Sequence, residues 1–272
     1  MRVRVEWREL RVRIFSGLVG VFLAALLFWM SSYSIGMFIC RLGVRMLAWG
    51  ATYEFVRMTQ MVYKDLIHPS FHLLLSFLFF ILIDFLPSLS LALISCTSLI
   101  GLLVFFDPFS SFIRVASSLL IFFYIHLPVA LFEQLLEGKI VSGRWWVLYL
   151  VLIAKGSDIG AFFIGKYFGK HLIAPRVSPN KTSMGVLGGV GFATVLSILL
   201  CFFTTTPWSP SLLIFCAPGV SLFSQFGDLI ESSFKRACGV TSSGTFPGMG
   251  GILDLLDSVL IACPLIYAFA CL

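Results

Sequence analysis

The sequence predicts an all-α, polytopic integral membrane protein of about nine transmembrane helices. Three observations carry this. The 272 residues are 59% hydrophobic with a mean hydropathy of +1.00, and only 12% are charged, where an ordinary soluble domain carries about 25%. The apolar residues fall in long unbroken runs, which suit helices that satisfy their own backbone hydrogen bonds and not the short alternating strands of a β-barrel. No stretch is polar enough, for long enough, to build a separate soluble core, so residues 1–272 read as a single membrane domain.

Taken in order, the basic leader MRVRVEWRELRVRIF is followed by many equally apolar segments, so it reads as orienting the first span and not as a cleaved signal. Apolar runs lie at 14–31, 34–56, 70–86, 89–106, 112–132, 145–165, 184–203, 210–230 and 251–272. Arg41 and Arg45 interrupt the second, which reads as tilted, broken or partly interfacial. Asp84 and Glu133, single acids near span ends, read as interfacial. A cytoplasmic N-terminus puts 57–69, 107–111, 166–183 and 231–250 on the cytoplasmic side, together with Lys166, Lys170, Arg176, Lys181, Lys235 and Arg236. Lys139 and Arg144 fall outside, and the bias follows the positive-inside rule.

The net charge is +6, but the basic residues form neither a stripe nor a nucleic-acid reading module, so nucleic acid is excluded as a partner. Membrane lipids with anionic headgroups, or a phosphate-rich substrate, suit them better. The seven cysteines are scattered without a CxxC pair and read as small buried hydrophobes in a reducing compartment. Residues 1–150 are nearly featureless scaffold spans. Residues 151–272 hold the polar constellations. There is no internal repeat with matched broken helices, which weighs against a secondary transporter. The glycine-lined spans are compatible with a homo-oligomer.

Four constellations could carry chemistry. In KGSDIGAFFIGKYFGK, Lys155 and Asp158 share a helical face inside an apolar run, and charges so placed should face the interior or a wet cavity. A structural ion pair locking two spans is the plain alternative, while Gly156, Gly160, Gly165 and Gly169 offer a surface for close packing. In RVSPNKTSMGVLGG, Pro179 breaks the chain, and Ser178, Asn180, Lys181 and Thr182 offer donors beside exposed backbone N–H groups. That is a possible phosphate cradle without Walker A spacing, and a capping loop would look similar.

The third, GDLIESSFKR, places Asp228 and Glu231 three apart. Glu231 and Lys235 are explained by a solvated helix face, whereas an aspartate directly after an apolar run suits a divalent cation. The fourth, FPGMGGILDLLDS, repeats that spacing in Asp254 and Asp257 at the start of the last run. One such pair could be a helix cap. Two pairs across a glycine-rich loop need Mg²⁺ or an equivalent to offset their repulsion. Carboxylate-held Mg²⁺ with lysines and arginines nearby suggests phosphoryl-transfer chemistry at the cytoplasmic face.

GDLIESSFKRACGV, then SSG, then PGMGGILDLLDS resembles the C-terminal signature of the bacterial CDP-diacylglycerol synthases, or phosphatidate cytidylyltransferases. SPNKT followed by GVLGG, and DIGAFFIGKYFGK, are similar to that family's two preceding regions in the same order. The resemblance is strong over 155–258 and weak around AWGATYEF, from Ala48 to Phe55. It implies a multi-pass enzyme of the bacterial cytoplasmic (inner) membrane that condenses CTP with phosphatidic acid and requires Mg²⁺. Carried over, Asp228, Asp254 and Asp257 are catalytic and hold the metal with Glu231 in support. Lys181, Lys235 and Arg236 would meet phosphates with Ser178, Asn180 and Thr182, and Asp158 would shape the nucleotide site.

The chain departs from that pattern at Ser183 and Met184 (a Trp-Glu pair), Thr241 and Ser242 (Lys-Asp), Met249 (His) and Leu255 (Arg), and is one residue short between Gly244 and Pro247. Losing one charge contact to a transition state costs about 3–4 kcal/mol. Two alternatives therefore stand beside the synthase: an impaired or inactive variant that keeps the scaffold, and a small-solute or lipid transporter.

Overall fold

The computed structural model describes residues 29–63, 69–85, 111–137, 142–203, 209–240 and 251–271, with helical positions 22, 25 and 26 before them. Helix α1 is Ser34–Gln60 and α2 is Pro69–Phe85. A third rod consists of α3 (Ser111–Ile121), a π-helical turn (Phe122–His126) and α4 (Leu127–Leu136). Helix α5 is Gly143–Phe168, α6 is Ser183–Phe203, α7 is Pro210–Ala237 and α8 is Ile252–Ala270.

Among the described residues, six helices are long and apolar enough to cross a membrane, and α2 is a shorter apolar helix. Seven of the expected spans fall on these rods. The run at 89–106 and most of 14–31 lie outside the described residues, as do Lys139 and all of the loop 107–111 except Ser111. Pro218 and Pro264 sit inside α7 and α8, where neighbouring helices tolerate them. The described cysteines are free thiols.

Between α5 and α6 the chain departs from an all-helical pattern. Strands β1 (Leu172–Ala174) and β2 (Ser178–Thr182) form an antiparallel ribbon, with Leu172 opposite Thr182 and Ala174 opposite Ser178. Sequence alone suggests only a loop here. Pro179 is compatible with the ribbon because both strands are edges.

The second span is not broken. Helix α1 runs through Arg41 and Arg45 because both find carboxylates within the bundle. Arg45 donates to both oxygens of Glu133 at 2.9 Å and to both of Asp84 at 2.8 Å. Arg41 pairs with Asp84, and with Glu137 at 3.0 Å. The guanidinium of Arg45 also lies 5.1 Å from the centre of the Phe80 ring. Glu133, with 2% of its side chain exposed, is thus a buried clamp joining α1 to α4, not an interfacial acid.

The glycine face of α5 does what its spacing predicts. A Cβ at Gly160 would lie 2.9 Å from the Gly188 carbonyl oxygen and 3.0 Å from Cγ of Phe192, and one at Gly165 would lie 3.1 Å from Cα of Gly185. Helices α5 and α6 therefore approach at backbone distance. Gly160→Val is expected to cost about 1–3 kcal/mol by overpacking. It should lower the melting temperature in detergent, whereas Gly191→Ala, where a Cβ would meet none of the described residues within 4 Å, should not.

Candidate active site

The C-terminal end of α7, the N-terminal ends of α6 and α8, the β-ribbon and the middle of α5 meet at one end of the bundle. Three lysines and five carboxylates come together there. Lys235 bridges Glu231 at 2.6 Å and Asp254 at 2.5 Å. Lys181 donates to Asp228 at 3.1 Å and to the carbonyl of Gln225 at 2.9 Å. Lys155 lies 3.7 Å from Asp158 and reaches across to α8, donating to Ser258 Oγ at 2.9 Å and to the Leu255 carbonyl at 3.4 Å.

Asp257 is buried at the centre, within electrostatic reach of Asp228, Lys155, Glu231 and Asp158. Its Oδ1 accepts the Ser258 N–H at 2.5 Å. It is the sixth residue of α8, so the charged cluster extends about 8 Å into the bundle from that helix's start. Glu231 is 1% exposed, which corrects the expectation of a solvated face. Helix α7 continues to Ala237, and α8 packs over this side of it.

A buried polar seam supports the cluster. Ser157 of α5 and Ser221 of α7 are 2.6 Å apart, and Gln225 donates to each at 3.1 Å. Gly189 makes room for this amide, since a Cβ there would lie 2.9 Å from Ser157 Oγ and 3.0 Å from the Ser157 carbonyl oxygen. Phe234 packs edge-on against Phe55 of α1 at 5.4 Å and Tyr124 of the π turn at 5.5 Å.

Not every expected residue turns inward. Ser178 is half-buried and Asn180 exposed on β2. Thr182 accepts the Gly185 N–H at 3.1 Å and so acts as a cap for α6. Arg236 donates to the carbonyls of Val177 and Val240, both at 3.3 Å, fastening the ribbon turn to the end of α7. Met184 is exposed, and Thr241, Ser242, Gly244, Pro247 and Met249 lie outside the described residues.

The opening turn of α8 answers whether its acids are only caps. Asp254 is one, because its Oδ2 accepts the Gly251 N–H at 2.8 Å while Oδ1 takes Lys235. Asp257 lies one turn deeper and faces the other acids. The remaining cap comes from far away in the sequence: Glu54 of α1 accepts the N–H groups of Ile252 and Leu253, each at 3.0 Å.

The sequence profile of the cytidylyltransferase family matches residues 11–272. The chain belongs to that family. Among curated relatives it is 37% identical over 157 residues to the phosphatidate cytidylyltransferase of Chlamydia trachomatis, covering 53% of this chain and 51% of that one. It is 40% identical over 126 residues to the enzyme of the same name from Staphylococcus haemolyticus, covering 46% and 48%. The chain spans about half the length of these relatives.

Membership sharpens the question of a metal. Carboxylates are the hard donors Mg²⁺ prefers, and it usually takes one or two of them together with phosphate oxygens and water. Among the described residues, no three His, Cys, Asp or Glu side chains are grouped to hold an ion by themselves. The buried Oε1 of Glu231 has no hydrogen-bond partner among the described residues. With five carboxylates against three ammonium groups, the cluster fits a divalent ion that a polyphosphate would help to hold.

The structure also shows what sequence reasoning missed. Lys155 was legible as half of an ion pair, but its hydrogen bond to Ser258 was not. Tyr124 carried no signal in an apolar run. Its buried hydroxyl has no partner among the described residues and lies within electrostatic reach of Asp257, Glu231, Asp228 and Asp254. Glu54 had a weak one, near the end of AWGATYEF, the N-terminal stretch whose motif resemblance was weak.

Proposed function

We propose that the protein transfers CMP from CTP to phosphatidic acid, giving CDP-diacylglycerol and pyrophosphate, at the cytoplasmic face of a bacterial inner membrane with its N-terminus cytoplasmic. The observation that carries this reading is the convergence of Asp228, Glu231, Asp254 and Asp257 with Lys155, Lys181 and Lys235 at one end of a cytidylyltransferase-family bundle.

A phosphate oxygen of phosphatidic acid attacks the α-phosphorus of CTP, and the bond to the β-phosphate oxygen breaks, releasing pyrophosphate. Mg²⁺ held by Asp228, Asp254 and Asp257, with Glu231 in support, would neutralise phosphate charge and polarise the α-phosphate. The attacking phosphate is already anionic near neutral pH, so the chain needs no strong general base. Its own contribution is positioning and charge. Lys181 and Lys235, now engaged by carboxylates, are placed to exchange those partners for phosphate oxygens. The seam of Ser157, Ser221 and Gln225 keeps α5 and α7 fixed while that exchange occurs. Ser178, Asn180, Thr182 and Arg236 would meet phosphate from the ribbon side, and Asp158, beside Lys155, would help shape the nucleotide site.

The test is to incubate purified protein with labelled CTP, Mg²⁺ and phosphatidic acid in mixed micelles. Magnesium-dependent label in CDP-lipid, lost on omitting phosphatidic acid, is the expected result. Failure to form CDP-lipid across a range of Mg²⁺ and lipid concentrations would sink the reading and favour the impaired scaffold, to which the neutral residues at Met184 and Leu255 point.

A further inference from the structure

We infer that Glu54 is a positioning residue for the cytidylyl-transfer site, setting the axial position of α8 and through it Asp254 and Asp257. This rests on the proposed reaction, but the geometry beneath it does not. Both carboxylate oxygens of Glu54 are engaged by the first turn of α8, at Ile252 and Leu253. Those are two of the N–H groups that a helix start leaves without internal partners, and a carboxylate there also meets the favourable end of the helix dipole. A carboxylate acceptor makes such hydrogen bonds stronger than neutral ones.

The contact is built into the fold on both sides. One turn earlier in α1, Gly50 lies so close to Ile252 that a Cβ would collide with the tip of that side chain. Next to it and one turn later, Phe55 and Met58 are buried in the core, with the Phe55 ring on Phe234. Helix α1 thus touches the start of α8 and the end of α7, the two segments that hold the acid pairs, although none of its residues belongs to those pairs. The third N–H of the turn, at Gly251, is taken by Asp254 itself. Glu54 and Asp254 therefore share the capping of one helix start. Removing Glu54 would leave Asp254 as the remaining acceptor for that turn and draw it from Lys235, while freeing α8 to shift along its axis and carry Asp257 out of register with Asp228.

The test uses the full chain in detergent, comparing the parent with Glu54→Ala and Glu54→Gln. Amide hydrogen exchange across 251–258 should accelerate about tenfold in Glu54→Ala, with peptides from α5 and α6 unchanged. The Mg²⁺ concentration for half-maximal CDP-lipid formation should rise and kcat fall by about tenfold or more, with the KM for phosphatidic acid unchanged. Glu54→Gln, whose amide oxygen can still accept one N–H, should recover part of both effects. Unchanged exchange at 251–258, or acceleration spread evenly over the chain, would overturn the inference, as would an unchanged Mg²⁺ requirement in an active Glu54→Ala protein. Should the parent form no CDP-lipid at all, the proposed reaction fails and the exchange measurement still decides the role of Glu54.

Discussion

Asp257→Asn is expected to lower CDP-lipid formation about a thousandfold, the upper range for losing one preorganised charge at a reacting phosphate. The asparagine oxygen can still accept the Ser258 N–H that Asp257 accepts at 2.5 Å, and the side chain keeps its volume, so α8 should fold. What is lost is a buried carboxyl group within electrostatic reach of Lys155 and the acids of α7. Initial rates under saturating CTP, alongside a melting curve, check this. A fall of only a few-fold at unchanged stability would remove Asp257 from the reacting centre.

The second large effect concerns the scaffold. Arg45→Met should destabilise the protein by about 3–5 kcal/mol, because Glu133 loses its bidentate partner while remaining 2% exposed. The double variant Arg45→Met, Glu133→Leu should regain much of that loss, since an apolar pair leaves no buried charge uncompensated. Unfolding in graded sodium dodecyl sulfate would measure both. A double variant no more stable than the single one would mean that Arg45 acts chiefly through Asp84 or Phe80. Since α1 rises about 1.5 Å per residue, Arg45 sits roughly 14 Å along it from Glu54, so this clamp and the acid cluster belong to opposite parts of the bundle.

What could be read from the sequence was what lies close together along the chain. Long apolar runs predict rods without any tertiary knowledge, and seven of them coincide with described helices. The spacing of Asp228 with Glu231 and of Asp254 with Asp257 puts each pair on one face, and the glycines of α5 mark its seam with α6. Partners from distant segments left no such mark. Glu54 is 198 positions from Ile252, and Arg45 is 88 from Glu133, so no local period links them. Arg41 and Arg45 even argued against an unbroken helix, because a lone arginine in a span is costly and its neutralising acid belongs to another rod. The ribbon at 172–182 was hidden for a related reason: its strands stabilise each other, and at three and five residues neither is long enough to stand out.

The π-helical turn at Phe122–His126 has a consequence of another kind. A π turn amounts to one residue more than an α-helix needs at that point. Tyr124, Ile125 and His126 are all buried within it, and burial continues into α4 at Pro128, Val129, Ala130 and Leu131. Residues on either side of it are consequently out of phase with one another by roughly 100°, the angle that one residue subtends at 3.6 per turn. Deleting a single residue there would restore an ordinary helix and rotate everything beyond it, swinging Glu133 off the face that meets Arg45. The rod thus has two registers, with a hydroxyl near the acid cluster in one half and an arginine clamp in the other, and a one-codon deletion between them would uncouple the two.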